Sequence, residues 1–278
     1  MPKPTSKEIQ EHKQFLRRQK VFEKKYQRQF YRYLTSVNYA AARWISQNGL
    51  NINQDQFLKY ENVEAIYKKL YNEVTLSEAK LQWESFDDGI KQKDLLDDFA
   101  RILSPGESQP ISLWRRLLNE FITVRIAGRI TEVNTTTRKR IAFLIEKGIE
   151  EGLGASQVAT LIRKDRGYNR NRSLAIARTE TVTAGNQGKY LAAVSSPYIK
   201  MKKWVPVEDS RTRLSHLDME DRPFVELNQP FYVANADGFL EQAQYPGDSS
   251  LSASNVIKCR CVIVFKNKTD ENGRPIRR

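Results

Sequence analysis

Pro197 marks the sharpest change of character in this chain. Before it, apolar residues recur every three or four positions over long stretches with few turn residues, the period of amphipathic helices. After it come short aromatic and β-branched runs, "YIKMKKWVPV", "PFVEL", "PFYV", "GFLEQ" and "KCRCVIVF", punctuated by proline, glycine and aspartate as strands and turns are. This order predicts an α+β chain, with an elongated, mostly helical N-terminal part followed by a small α+β or β-rich C-terminal domain.

The helical part divides at its breakers. A first helix is expected over residues 7–47, stopped by Gly49. A second runs from Gln54 to near Tyr71, capped by Asn53. "TLSEAKLQW" opens with Thr75 three residues before Glu78, a capping-box spacing. "DDGIKQKDLLDDFARIL" reads as helix and "SPGESQPIS" as loop. Helix resumes over 113–132 and continues through "NTTTRKRIAFLIEKGIEEGLG" with a break at Asn134. "GASQVATLIRK" is a short helix with Ser156 as its cap. "NRSLAIARTETVTAGNQGKYLAAVS" is a long one. The expected domains are a helical region 1–105 and a second domain 106–266, helical to about 196 and β-rich over 198–266. Residues 267–278 are expected to form a flexible tail.

The formal net charge is +13, which speaks to partners rather than to fold. Much of it sits in "HKQFLRRQKVFEKKYQRQFYR", where Arg17, Arg18, Lys20, Lys24, Lys25 and Arg28 share a predicted helix with Phe15, Phe22, Tyr26 and Phe30. A solvated helix packed by its aromatic stripe accounts for the pattern. So does a basic face that meets the phosphates of double-stranded DNA without sequence preference, or an acidic protein surface. No early apolar run resembles a signal peptide or a membrane span, so a cytosolic product without membrane contact is expected.

The only two cysteines are Cys259 and Cys261. A disulfide between them is disfavoured by geometry and by a reducing compartment. One reading packs each thiol on its own side of a strand. The other gathers both with His216 and Asp209 into a Zn²⁺ site, since sulfur, nitrogen and oxygen donors suit that ion and four donors close a structural site. The spacing is tighter than is usual for zinc. The thiols are expected to point apart unless a bulge or strand end brings them together.

Three motifs stand in a fixed order. "IARTETVTAGNQGKY" holds Arg178, Thr179 and Glu180. "KKWVPVEDSRTRLSH" holds Trp204, Asp209, Thr212, Arg213 and His216. "YPGDSSLSASNVIKCRC" holds Pro246, Gly247, Asp248, Asn255, Cys259 and Cys261. Across roughly residues 110–266, this succession resembles the head morphogenesis domain of the phage Mu F-like family, the minor head proteins of tailed phages. Two features depart from the family pattern. "HLDMEDRPF" lacks a glycine after the histidine, and Lys258 stands where the family more often has asparagine. The resemblance implies a virion protein inside the head near the portal vertex, present in the host cytoplasm during assembly. It implies the portal protein as partner, with major capsid or scaffolding protein as others, and action in head assembly, DNA packaging or DNA ejection. A general nucleic-acid-binding protein is the alternative.

Some local readings follow from the residues themselves. Glu180 is expected to pair with Arg211 or Arg213, and Trp204 to lie in the core. Pro246 and Gly247 fit the middle of a type II turn that Asp248 closes. An enzyme is not expected. "GLGAS" lacks the lysine and preceding strand of a phosphate loop. His12 falls in a charged terminus expected to be mobile, and the acidic residues near His216 form no recognisable catalytic set.

Overall fold

The computed structural model describes residues 5–50, 57–86 and 110–278, the side chains of Pro110 and Arg125 apart. Helices come first: α1 (Ser6–Asn48), α2 (Tyr60–Glu84), α3 (Pro110–Phe121), a π-helical turn (Ile122–Ile126), α4 (Ala127–Glu150), α5 (Ala155–Lys164) and α6 (Arg166–Val194). The strands follow with two short helices among them: β1 (Lys200–Val205), α7 (Leu214–Leu217), β2 (Val225–Glu226), β3 (Phe231–Ala234), β4 (Leu240–Ala243), α8 (Ala253–Val256) and β5 (Val262–Asn267). A mostly helical N-terminal region is therefore followed by a smaller region mixing helices and strands.

Two compact units share these elements. One comprises Met1–Phe22, Leu70–Glu120 and Arg178–Arg278; the other comprises Glu23–Lys69 and Phe121–Ala177. The domain boundary expected at 105/106 lies outside the described residues, as do Asn53, the helix expected over "DDGIKQKDLLDDFARIL" and most of "SPGESQPIS".

In the first unit, β1 is the middle strand of an antiparallel sheet ordered β2–β1–β5, with Trp204 opposite Ile263 and Val205 opposite Val262. Alternation gives the sheet two buried faces. Trp204 and Ile263 pack with Phe231, Val233 and Ala243 of the β3–β4 hairpin. Val205, Val262 and Val264 pack with Val182 of α6 and Phe15 of α1. Because helices cover one side and the hairpin the other, even the lysines of β1 are enclosed: Lys200, Lys202 and Lys203 are all buried.

Thr75 and Glu78 do not cap a helix. They lie inside α2, which runs on past the expected end at Tyr71. Their polarity answers to tertiary partners: the Thr75 hydroxyl donates to the Ala184 carbonyl at 3.1 Å, and Glu78 accepts from Arg18 at 2.8 Å and Gln19 at 2.9 Å. The C-terminal residues, expected to fray, fold back along the chain before β1. Ile199 N–H donates to the Ile276 carbonyl and Arg278 N–H to the Pro197 carbonyl, each at 2.9 Å.

The second unit is helical. Phe30 meets Tyr67 edge-on at 5.4 Å, and Arg140 grips Asp165 through two bonds of 2.8 and 2.9 Å. The break expected at Asn134 is absent: α4 passes through it, and its side chain instead accepts from the Tyr33 hydroxyl at 2.7 Å. The N-cap of α5 is Gly154 rather than Ser156. The Gln157 side chain returns to the Gly154 N–H at 2.9 Å, which satisfies one of the donors a helix start leaves open.

Candidate metal centre

The two cysteines lie just before β5. Cys259 N–H donates to Val256 at the end of α8, and Lys258 between them turns the chain at φ 58°. Asparagine adopts this left-handed conformation more readily than lysine does. Lys258→Asn is therefore expected to raise stability by a few tenths to about 1 kcal/mol, read by urea denaturation; an unchanged or lower midpoint would contradict the strain.

From Cys259 onward, residues two apart share a side, as extended backbone requires. The thiols therefore converge where they were expected to diverge, and Arg260 points the other way. Cys259 Sγ lies 3.7 Å and Cys261 Sγ 3.4 Å from Nδ1 of His216 on α7. All three donor atoms fall within 4.8 Å of one another, and all three residues are buried. Neither cysteine is in a disulfide.

The other side of the imidazole fixes its orientation. His216 Nε2 lies 3.2 Å from Asn255 Oδ1, and Asn255 Nδ2 donates to Glu241 Oε2 at 2.9 Å. An amide whose NH₂ is committed to a carboxylate offers its oxygen to the ring. Nε2 then carries the proton, and Nδ1 turns its lone pair to the sulfurs. Burial works to raise the Glu241 carboxyl, but bonds from Asn255, Ser252 and Asn235 outweigh it and hold it below the usual range. The thiols are driven apart: the bond from Cys261 and the neighbouring His216 pull Cys259 well down, while burial pushes Cys261 well up. Two sulfurs and one imidazole nitrogen are a donor set that suits Zn²⁺.

Asp209, expected as the fourth ligand, stands outside this cluster. Arg260 takes both its oxygens at 2.6 Å and Arg211 adds a bond of 3.0 Å. These guanidinium bonds, Arg260 first, hold the Asp209 carboxyl far below the usual range. The ion pair draws the loop after β1 against the Cys-Arg-Cys segment from the side opposite the thiols.

The remaining motif residues brace the same loop. Thr179 Oγ1 accepts from Lys258 N–H at 2.9 Å, and Thr212 Oγ1 donates to the Val207 carbonyl at 2.6 Å. Arg213 donates to the Ile257 carbonyl at 2.6 Å. Glu180 accepts from the Tyr71 hydroxyl at 2.8 Å, rather than from Arg211 or Arg213. Arg178 is half-buried on α6. Trp204 is a core residue, its ring edge-on to His216 at 5.2 Å. Tyr245 to Asp248 form the expected turn: Asp248 N–H returns to Tyr245, Gly247 has φ 83°, and Asp248 Oδ2 accepts from Gln244 N–H at 2.8 Å. The Pro246 carbonyl accepts from Asn186 at 3.0 Å.

Sequence reasoning missed three participants. Asn186 of α6 grips the chain where it enters β5, donating to the Cys261 carbonyl at 2.9 Å and accepting from Ile263 N–H at 3.0 Å. Glu241 orients Asn255. His12, expected in a mobile terminus, is buried in α1 with Nε2 at 2.9 Å from the Arg260 carbonyl, and burial lowers its pKa. No local pattern announces any of them, because each partner lies far along the chain or on another element.

Fold and site together define a mostly helical protein whose small mixed C-terminal region is built around a buried Cys–Cys–His cluster. Residues 139–264, less than half of the chain, match the model of the family described as Phage Mu protein F like protein, which indicates a distant relation over that stretch. The chain is also 23% identical over 129 residues to an uncharacterized protein, YqbB, of Bacillus subtilis (strain 168), an alignment covering 46% of this chain and 41% of that protein. No solved structure matches. Among the described residues, no helix is long and apolar enough to cross a membrane.

Proposed function

We propose that this chain is a minor head protein of a tailed phage, a non-catalytic component of the virion interior that associates with the portal vertex and acts in head assembly, DNA packaging or DNA ejection. The observation that carries this reading is the family match over 139–264, because the matched stretch contains the His216, Cys259 and Cys261 cluster and the residues that brace it. A pull-down of the purified chain against the portal ring, with and without DNA, tests it. Retention on the portal without DNA supports it. Retention on DNA alone, with none on portal, major capsid or scaffolding protein, favours the general nucleic-acid binder instead.

The second reading has its own observation. Arg17, Lys20, Lys24, Lys25 and Arg28 are exposed on α1, and helical periodicity lines Arg17, Lys20, Lys24 and Arg28 along one side. Arg18 differs: Glu78 holds its guanidinium through two bonds of 2.8 Å. Charge reversal at Arg17, Lys20, Lys24 and Arg28 is therefore expected to weaken retention on double-stranded DNA without unfolding the chain. It should also flatten the dependence of log affinity on log salt by about 3 to 4, near one unit per lost phosphate contact. Equal binding by the altered chain at every salt concentration would move the role of this helix to an acidic protein surface.

A further inference from the structure

We propose that the corner where α5 turns into α6 is a contact surface for the phosphate backbone of double-stranded DNA, formed by Arg163, Lys164, Arg166 and Arg170 on different helices from the basic face of α1. Between Glu151 and Glu180 the chain holds six arginines and lysines and a single acid, Asp165. Arg140 of α4 takes that carboxylate through two bonds of 2.8 and 2.9 Å. Arg163, Lys164, Arg166 and Arg170 are all exposed, and among the described residues none of the four pairs with a carboxylate. Arg166 donates instead to the Tyr39 hydroxyl of α1 at 3.2 Å. The corner is pinned further by Asn38 of α1, which donates to the Ile162 carbonyl at 3.0 Å, and by Arg140, which covers the Tyr168 ring at 4.6 Å. All of these residues belong to the second unit.

Ordinary helix electrostatics account for only half of this charge. Arg163 and Lys164 lie in the last turn of α5, where the carbonyl end favours cations. Arg166 opens α6, and Arg170 follows one turn later on the same face, at the end of a helix that favours anions. The first turn of α6 has no acid, and Asp165 just before it is committed to Arg140. Like charges one turn apart also repel. The arrangement destabilises this helix end in the isolated chain, and a bound polyanion relieves it. What surrounds the cations selects the polyanion. The exposed residues of 163–172 are these four, Gly167 and Asn171, while Tyr168 is half-buried under Arg140. A protein interface is centred on apolar or aromatic anchors, and this run exposes none. Guanidinium and ammonium groups among glycine and asparagine suit phosphate oxygens, which need only charge and hydrogen bonds. A Cβ at Gly167 would meet nothing within 4 Å, so the backbone lies open there. Phosphate contacts carry no sequence information, so binding should be indifferent to sequence. This surface stands whether or not the α1 face touches DNA.

The test follows the fluorescence anisotropy of a labelled DNA duplex titrated with the full chain over a series of salt concentrations. The variant carrying Arg163→Gln, Lys164→Gln, Arg166→Gln and Arg170→Gln keeps side-chain length and helix propensity while removing the charge. It should bind about 10- to 100-fold more weakly at about 0.1 M salt, and the slope of log affinity against log salt should fall by about 3 to 4. A duplex of unrelated sequence should give the same values. Should that variant fail to fold, Arg166→Gln with Arg170→Gln decides. It takes cations from the helix end that disfavours them, and it should lower the slope by about 2. The α1 charge reversal is measured beside it. A slope lowered by both variants supports both surfaces. A slope lowered at the corner but not on α1 supports this surface and refutes that face, and the converse overturns this surface. Native and corner-altered chains that bind the duplex equally at every salt concentration, or a native chain that binds none, overturn it. So does a corner variant that keeps its hold on DNA but loses retention on the portal ring, which would make the partner an acidic protein.

Discussion

Gly188→Ala is expected to destabilise the protein by on the order of 3 kcal/mol, although alanine is the better helix former. A Cβ built at Gly188 of α6 would stand 2.2 Å from the Thr75 carbonyl oxygen and 3.0 Å from the Ala79 nitrogen, both backbone atoms of α2. Backbone cannot rotate aside, so the two helices must separate. Ala184 and Ala192, four residues to either side of Gly188, are also fully buried, so small residues at this spacing form the face on which α2 rests. The Thr75 hydroxyl bond to Ala184 and the Glu180–Tyr71 bond depend on the same approach. The contrasting substitution is Gly128→Ala in α4, where an added Cβ meets nothing within 4 Å. There, helix propensity should win, with a gain of up to about 1 kcal/mol. Urea denaturation of both variants reads the two signs. A Gly188→Ala protein as stable as the native one would show that α2 and α6 do not pack this closely.

The order of elements was legible because turn chemistry is local. "YPGD" forms a turn with Gly247 in the left-handed region, and the runs between the other breakers became β1 to β5. The residues of the metal cluster were legible as residue types, but their geometry was misjudged. Positions two apart in extended chain lie on one side, so Cys-x-Cys favours convergence. Long-range pairings could not be read. Thr75 and Glu78 imitate a capping box, yet their polarity serves Ala184, Arg18 and Gln19. Asp209 has the chemistry of a ligand, and only the position of Arg260 on the far side of the thiols removes it from the site. The lysines of β1 mislead most. "KMKK" would suit a solvated strand face, but covering the sheet on both sides encloses three of its lysines.

Lys202→Met is expected to make the protein more stable near neutral pH and less stable in alkali, so that the two stability curves cross. The Lys202 side chain is fully buried, with Nζ 3.1 Å from the Gln244 carbonyl and 2.5 Å from its Oε1. It also stands 4.8 Å from the Phe231 ring centre and 5.4 Å from that of Tyr190. Burial pushes its pKa from 10.5 down to about 7, with Asp248 pulling the other way. Below about pH 7 the folded and unfolded chains both hold the proton, and the full cost of a buried ammonium, on the order of 5 kcal/mol, weighs on the folded state. Between about 7 and 10.5 the unfolded chain keeps the proton that the folded chain has released. Stability therefore rises with pH through that window. Methionine preserves the length and apolar volume of the side chain and removes the charge. It also leaves two acceptors of Gln244 without this donor, a loss of about 1 to 2 kcal/mol. The variant should gain about 3 kcal/mol at neutral pH, lose up to about 1 kcal/mol above pH 10, and show a flatter profile throughout. Urea denaturation of both proteins at a series of pH values reads the crossing. Parallel curves would mean that Lys202 keeps its proton in the folded state across the whole range, held by the two aromatic faces and Gln244.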